Sequence, residues 1–91
     1  MKKILQFSIP SNKLNFGLTI NQSFEYLKVI TIENKHSLHV LADMNTPLRE
    51  VRYVLFVNGA SIPVFPMKHV DSFIHVQDNL LVPLHLFEVL E

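Results

Sequence analysis

The second half of the chain repeats short apolar runs that polar turn residues separate. Between residues 49 and 89, β-branched, aromatic and leucine residues form runs of a few positions, which Asn58-Gly59 and Asp78-Asn79 interrupt. Runs of this length with turn residues between them are typical of antiparallel strands and do not fit a helix. The pattern therefore predicts a β domain in this half.

The first half follows the same pattern. Its apolar residues alternate with polar ones or cluster in segments rich in β-formers, and both patterns are typical of strands. Pro47 is expected to open a single helical turn at residues 48–50. Strands are predicted at residues 3–9, 13–20, 26–33, 38–42 and 51–57, the last of them apolar on both faces and therefore central in its sheet.

Turn residues predict how these strands connect. Asn34-Lys35 predicts a tight hairpin turn, and Asn58-Gly59 is the strongest hairpin signal because a type I′ turn needs positive φ at both central residues. Residues 60–66 contain two prolines, which confine them to a sheet edge or an extended loop. A hairpin around Asp78-Asn79 is expected to join residues 73–77 to residues 80–89, where Pro83 could interrupt the strand. That register would pair Ser72 with His85.

Length and pattern together predict the fold. A chain of 91 residues forms one domain, here residues 1–91, because it is too short to divide its core. We predict an all-β fold, a small antiparallel sandwich or partly open barrel of six to eight strands, with at most one short helical turn.

The charge and hydrophobicity of the chain indicate which classes of partner to expect. Eight Lys and Arg balance eight Asp and Glu, so no strong field attracts nucleic acid or anionic lipid, and nucleic-acid binding is not expected. Zero net charge with 48% hydrophobic residues favours self-association, for example as a homodimer. No signal peptide or membrane span is recognised, and the absence of cysteine is compatible with a reducing compartment. A cytoplasmic location is expected, with no membrane partner.

Candidate chemistry is sparse. The five histidines do not form a ligand cluster, because His36 and His39 would point to opposite faces of one strand. No serine occupies a strand-turn-helix elbow, and two glycines cannot build a phosphate-binding loop. The sequence predicts no metal site, no cofactor and no catalytic residue, so an enzyme is not expected. The histidines are His36, His39, His69, His75 and His85.

Two groups of residues are candidates for binding. The first is an interaction surface in the irregular segment after the fifth strand, where Phe65 lies between prolines and exposed apolar groups commonly mark a contact. It comprises Asn58, Gly59, Ile62 and Phe65. The second is a small-ligand pocket between sheets or subunits, lined by Arg52, Tyr53 and His85. The remaining phenylalanines in apolar alternations are expected in the core: Phe7, Phe16, Phe56, Phe73 and Phe87.

The order of several segments resembles a family of short uncharacterised proteins found largely in bacteriophages and prophages. The resemblance is carried by an early Lys-Ile-Leu-Gln-Phe strand, Leu-His-Val-Leu-Ala-Asp at residues 38–43, the Asn58-Gly59 turn leading to Ile62-Pro63, and Leu-His-Leu-Phe-Glu at residues 84–88. It implies a phage accessory protein in the host cytoplasm. The leading hypothesis is a non-catalytic protein that binds a host or phage protein, for example as an inhibitor of a host or defence factor. The alternative is a β protein that binds or sequesters a small ligand such as a nucleotide.

Overall fold

The computed structural model describes residues 1–90 as an all-β sandwich. Seven strands form two antiparallel sheets that do not close into a barrel. The strands are β1 (Lys2–Ile9), β2 (Asn15–Asn21), β3 (Phe24–Ile32), β4 (Lys35–Asp43), β5 (Leu48–Val57), β6 (Met67–Gln77) and β7 (Leu80–Val89). The prediction of six to eight strands is confirmed.

The two sheets divide the chain unevenly. The three-stranded sheet has the order β1-β4-β3, and the four-stranded sheet has the order β2-β5-β7-β6. The prediction that residues 51–57 form a central strand is confirmed, because β5 lies between β2 and β7.

The core lies between the sheets. Alternating residues of each strand point inward, and Leu38, Val40 and Ala42 of β4 are fully buried against Tyr53 of β5 and Leu86 of β7. Such alternation is the expected pattern of a sheet with one face on the core. The face of the four-stranded sheet that points away from the three-stranded sheet is called the outer face below.

The edges of the two sheets meet along one side of the sandwich, where β3 packs against β6. Asp71 of β6 accepts a hydrogen bond from the backbone N–H of Val29 in β3 at 2.8 Å. Asn34, in the turn between β3 and β4, contacts the backbone of β6 in the same way. Its side chain accepts a hydrogen bond from the Val76 N–H at 2.8 Å and donates one to the Val76 carbonyl at 2.9 Å. Side chains thus occupy backbone groups that an exposed edge would offer to another chain.

Tight turns connect β3 to β4 and β6 to β7, so that each pair forms a hairpin. Asp78 and Asn79 both have positive φ, 53° and 63°, as a type I′ turn requires. The predicted hairpin is confirmed, with Gln77 opposite Leu80 and Ser72 opposite His85. The β3–β4 hairpin also exists, but its positive-φ residues are Glu33 and Asn34, one position earlier than the Asn34-Lys35 turn that we predicted.

Three local predictions are wrong. Residues 48–50 begin β5 and form no helical turn, since their backbone pairs with β2. β7 runs through Pro83 without a break. Asn58-Gly59 closes no two-residue hairpin, because only Gly59 has positive φ, 83°, and the hydrogen bond from the Ala60 N–H to the Val57 carbonyl closes a single turn.

The segment of residues 58–66 is a crossover instead. β5 and β6 are both antiparallel to β7 and lie on either side of it, so they run in the same direction. The connection must therefore return along β7, from the level of Leu84, which pairs with Val57, to the level of Val89, which pairs with Met67. This loop contains no strand.

Residues 1–90 contain no helix with the length and apolarity that crossing a bilayer needs.

Candidate functional site

The loop of residues 58–66 displays apolar side chains to solvent. Val64 is fully exposed, and Ile62 and Phe65 are 50% and 43% exposed. Pro63 and Pro66 flank Val64 and Phe65, and because the φ angle of each proline is fixed, the segment has fewer alternative conformations. The interaction surface that we predicted from the sequence lies in this segment. Two of its residues, Ile62 and Phe65, are accessible to solvent in the structure.

Both ends of this loop are fixed to the four-stranded sheet. Near its start, the Asn58 Oδ1 atom lies 2.6 Å from the Nε2 atom of His85. At its end, the Leu90 N–H donates to the Pro66 carbonyl at 2.9 Å. His85 lies between the buried residues Leu84 and Leu86 on β7, so its side chain projects from the outer face. The loop therefore starts on that face.

A chain of hydrogen bonds extends from Asn58 across β7 to β6. His85 Nδ1 lies 2.7 Å from Ser72 Oγ, which lies 2.9 Å from His69 Nε2. Because the Asn58 carbonyl oxygen can only accept, His85 donates from Nε2. When His85 is neutral, its Nδ1 atom accepts the Ser72 hydroxyl proton, and Ser72 in turn accepts a proton from His69. These four residues are called the outer network below. A β-bulge between His69 and Asp71 places His69 and Ser72 on one face despite their odd spacing.

Two phenylalanines that we expected in the core lie on the outer face. Phe56 and Phe87 are only partly buried, because Leu55 and Leu86 beside them occupy the inner face. Their ring centroids are 5.5 Å apart, and the His69 ring is 5.2 Å from Phe87. Phe73 is buried, and Phe7 and Phe16 pack against the core as expected.

The three residues proposed for a ligand pocket do not converge. Tyr53 is fully buried and faces the core, whereas Arg52, the residue before it on the strand, projects from the outer face beside Glu50, at 3.6 Å. His85 also lies on the outer face, but its partners are Ser72 and Asn58. His85 thus contacts Asn58 of the predicted interaction surface. Tyr53 is buried in the core and lies apart from His85 and from that surface.

A polar cluster that the sequence did not indicate joins the two sheets inside the sandwich. The hydroxyl of Tyr26 in β3 donates to Glu88 Oε1 in β7 at 2.5 Å, and the Tyr53 hydroxyl lies 3.0 Å from that of Tyr26. Since Tyr26 gives its proton to Glu88, Tyr53 donates to Tyr26. These three residues are called the inner network below. Burial, and then the hydrogen bond to Glu88, raise the pKa of Tyr26 far above its usual range, and burial raises the pKa of Tyr53 to about 12.

The inner network borders a cleft of about 490 Å³ where β3 and β6 begin. Tyr26 and Glu88 line this cleft together with Arg49 and Lys68. The Lys68 ammonium lies 5.6 Å from the centre of the Tyr26 ring, and the Arg49 guanidinium lies 5.7 Å from that of Phe24. Both distances are typical of cation–π contacts.

A histidine pair lies further along the line where β3 and β6 meet. His36 Nε2 is 2.9 Å from His75 Nδ1, and His36 Nδ1 is 2.8 Å from the Thr31 hydroxyl. His36 is buried against Phe73, with ring centroids 4.6 Å apart. Burial, followed by the proximity of His75, lowers the pKa of His36.

Among the described residues, neither histidine group has the ligand set of a metal site. Within residues 1–90, no three His, Cys, Asp or Glu side chains are grouped so as to hold a metal ion. Ser72 has the neighbours from which a nucleophilic serine could be activated. However, Ser72, His69 and Asn58 are exposed on the outer face, and through His85 their network reaches Asn58 at the start of the loop. We therefore assign this network to holding the loop.

Comparisons with protein-family models, with curated proteins and with solved structures found no match for this chain. Its geometry and chemistry are therefore the basis on which a function is proposed.

Proposed function

We propose that this protein is a non-catalytic binding protein that contacts a partner protein through the loop of residues 58–66. One observation carries the proposal: the loop holds three exposed apolar side chains, those of Ile62, Val64 and Phe65, between two fixed ends. Exposed apolar groups of this kind commonly mark contact sites.

The loop is pre-organised for binding, because part of its conformational freedom is already lost in the free protein. A flexible loop loses conformational entropy when it binds, which reduces affinity. This loop has lost part of that freedom already, because Pro63 and Pro66 restrict its backbone and His85 holds Asn58. Its apolar side chains can then be buried against a partner at lower entropic cost, and an aromatic residue such as Phe65 is a typical central contact.

The resemblance to phage proteins suggests which partner to test first. A phage accessory protein would act in the host cytoplasm on a host or phage protein, for example as an inhibitor of a host or defence factor. Self-association through the edges of β1 and β2 is a further proposal, because within residues 1–90 neither strand has a neighbour on its outer side. A small-ligand function is the second candidate, favoured by the cleft beside Glu88.

The test is affinity capture from a lysate of the natural host, with bound proteins identified by mass spectrometry. The wild type is compared with an Ile62→Ser, Phe65→Ser double variant, which removes apolar contacts without touching the core. The control is a Leu80→Ser, Leu81→Ser double variant, which changes two exposed leucines at the start of β7.

We expect a partner that the wild type and the control retain and the loop variant loses. Equal retention by the loop variant would reject the loop as the binding surface. A wild type that is strictly monomeric and retains no protein would reject the binding function itself.

A further inference from the structure

The cleft at the start of β3 and β6 has the size of a small-molecule site. Its volume of about 490 Å³ falls within the range of roughly 300–1,000 Å³ that is typical of ligand pockets. It lies between the two sheets, so residues of β3, β5, β6 and β7 line it. None of the residues of the loop 58–66 lines it, although His69 of the outer network does.

The inner wall of this cleft offers a hydrogen-bond acceptor. Glu88 is only 8% exposed, and its Oε1 atom already accepts from Tyr26. Within residues 1–90, no group donates to its second oxygen, Oε2. Glu88 lines the cleft, so a ligand in the cleft has access to this carboxylate.

The cleft is also lined by two cations, each of which lies over an aromatic ring. Lys68 lies over the Tyr26 ring and Arg49 lies over the Phe24 ring. Within residues 1–90, neither forms a salt bridge with a carboxylate, so both charges are available to an anion. Glu25 and Glu88 also line the cleft, and their charges oppose the binding of an anion close to either of them.

We propose that this cleft binds a small molecule that carries an N–H donor group at one end and a phosphate or carboxylate at the other. The donor end would bind Oε2 of Glu88, where burial strengthens a charge-assisted hydrogen bond. The anionic end would bind Lys68 and Arg49, the side chains suited to phosphate and carboxylate. Nucleoside monophosphates and free amino acids share this chemistry. This proposal names the ligand class of the second candidate function and does not depend on the partner-binding loop.

The experiment is a titration of the isotope-labelled protein followed by two-dimensional NMR. One arm uses the four common nucleoside monophosphates, and the other uses the free amino acids. The variants are Glu88→Gln, Lys68→Met and Arg49→Gln. The matched control is Arg52→Gln, which removes a cation from the same strand as Arg49 but on the outer face, beside Glu50.

We expect at least one compound to produce saturable shifts at residues that line the cleft, with a dissociation constant of about 1 mM or lower. Each cleft variant should weaken that binding at least about tenfold, since each removes a charge-assisted contact, and Arg52→Gln should leave it unchanged. The arm that contains the compound shows whether a phosphate or a carboxylate is preferred. The proposal is overturned if no compound in either arm saturates the wild type, or if the folded cleft variants bind as tightly as the control.

Discussion

The inner and outer networks are built from similar hydrogen bonds in opposite surroundings. The inner network joins the sheets through Tyr26, Tyr53 and Glu88 at 2.5 and 3.0 Å. The outer network joins β6, β7 and the loop of residues 58–66 at 2.6 to 2.9 Å. Inside the sandwich, a lost donor leaves a buried acceptor without a partner, whereas water can replace a lost partner on the surface. Although the hydrogen-bond distances are similar, we expect the inner network to contribute more to folding stability. We expect the outer network to affect mainly the order of the loop.

The largest effect is expected from Tyr26→Phe. This change keeps the ring that contacts Phe24 and Lys68 but removes the hydrogen-bond donor to Glu88. Because hydrogen bonds to charged groups contribute more than neutral ones, the free energy of unfolding should fall by about 1.5–3 kcal/mol. Urea denaturation followed by circular dichroism measures it.

Ser72→Ala is the matched change in the outer network. It removes a hydroxyl that contacts two histidines, but on an exposed surface we expect a change within about 0.5 kcal/mol. Equal losses of stability in the two variants would contradict the contrast between the networks.

The buried histidine pair predicts a smaller, pH-dependent effect. The pKa of His36 is lowered in the folded protein by burial and by His75, so the unfolded chain binds more protons as the pH falls towards the unperturbed histidine pKa of about 6.5. By linkage, this contribution to stability is present above that pKa and is lost progressively below it. The free energy of unfolding should therefore be lower at about pH 5.5 than at about pH 7.5.

Replacing His36 should reduce this dependence. His36→Gln removes the titrating group, so the difference in unfolding free energy between the two pH values should shrink. His39→Gln is the control, because His39 lies on the opposite face of the same strand, away from the sandwich interior. A pH dependence that persists unchanged in His36→Gln would assign it to other groups.

Sequence reasoning succeeded where local chemistry decides the structure. The turn at Asp78-Asn79 predicted the register that places Ser72 opposite His85, and the structure confirms it. The same reasoning failed at Asn58-Gly59, because β5 pairs with β7 rather than with the segment that follows it. A turn signal shows where the chain bends, but the partner of the preceding strand depends on contacts that are distant in sequence.

The inner network shows the same limit for the candidate site. Tyr26 and Glu88 are 62 positions apart, and no spacing rule connects them. The alternation around Phe56 and Phe87 was visible in the sequence, but it could not tell which face the other sheet would cover. The bulge between His69 and Asp71 also places His69 and Ser72 on one face, which their odd spacing does not predict. The strands were therefore predictable, whereas the groups that their faces assemble were not.

The most specific effect on the loop, with only a small effect on stability, is expected from His85→Ala. This change removes the contact that holds Asn58, while the buried neighbours Leu84 and Leu86 stay in place. We expect the free energy of unfolding to change by less than about 1 kcal/mol, because the lost groups can bond to water. Hydrogen exchange should nevertheless become faster at Ala60, whose amide closes the turn at the start of the loop. His39→Ala is the control, and exchange that stays unchanged in His85→Ala would mean that the prolines alone order the loop.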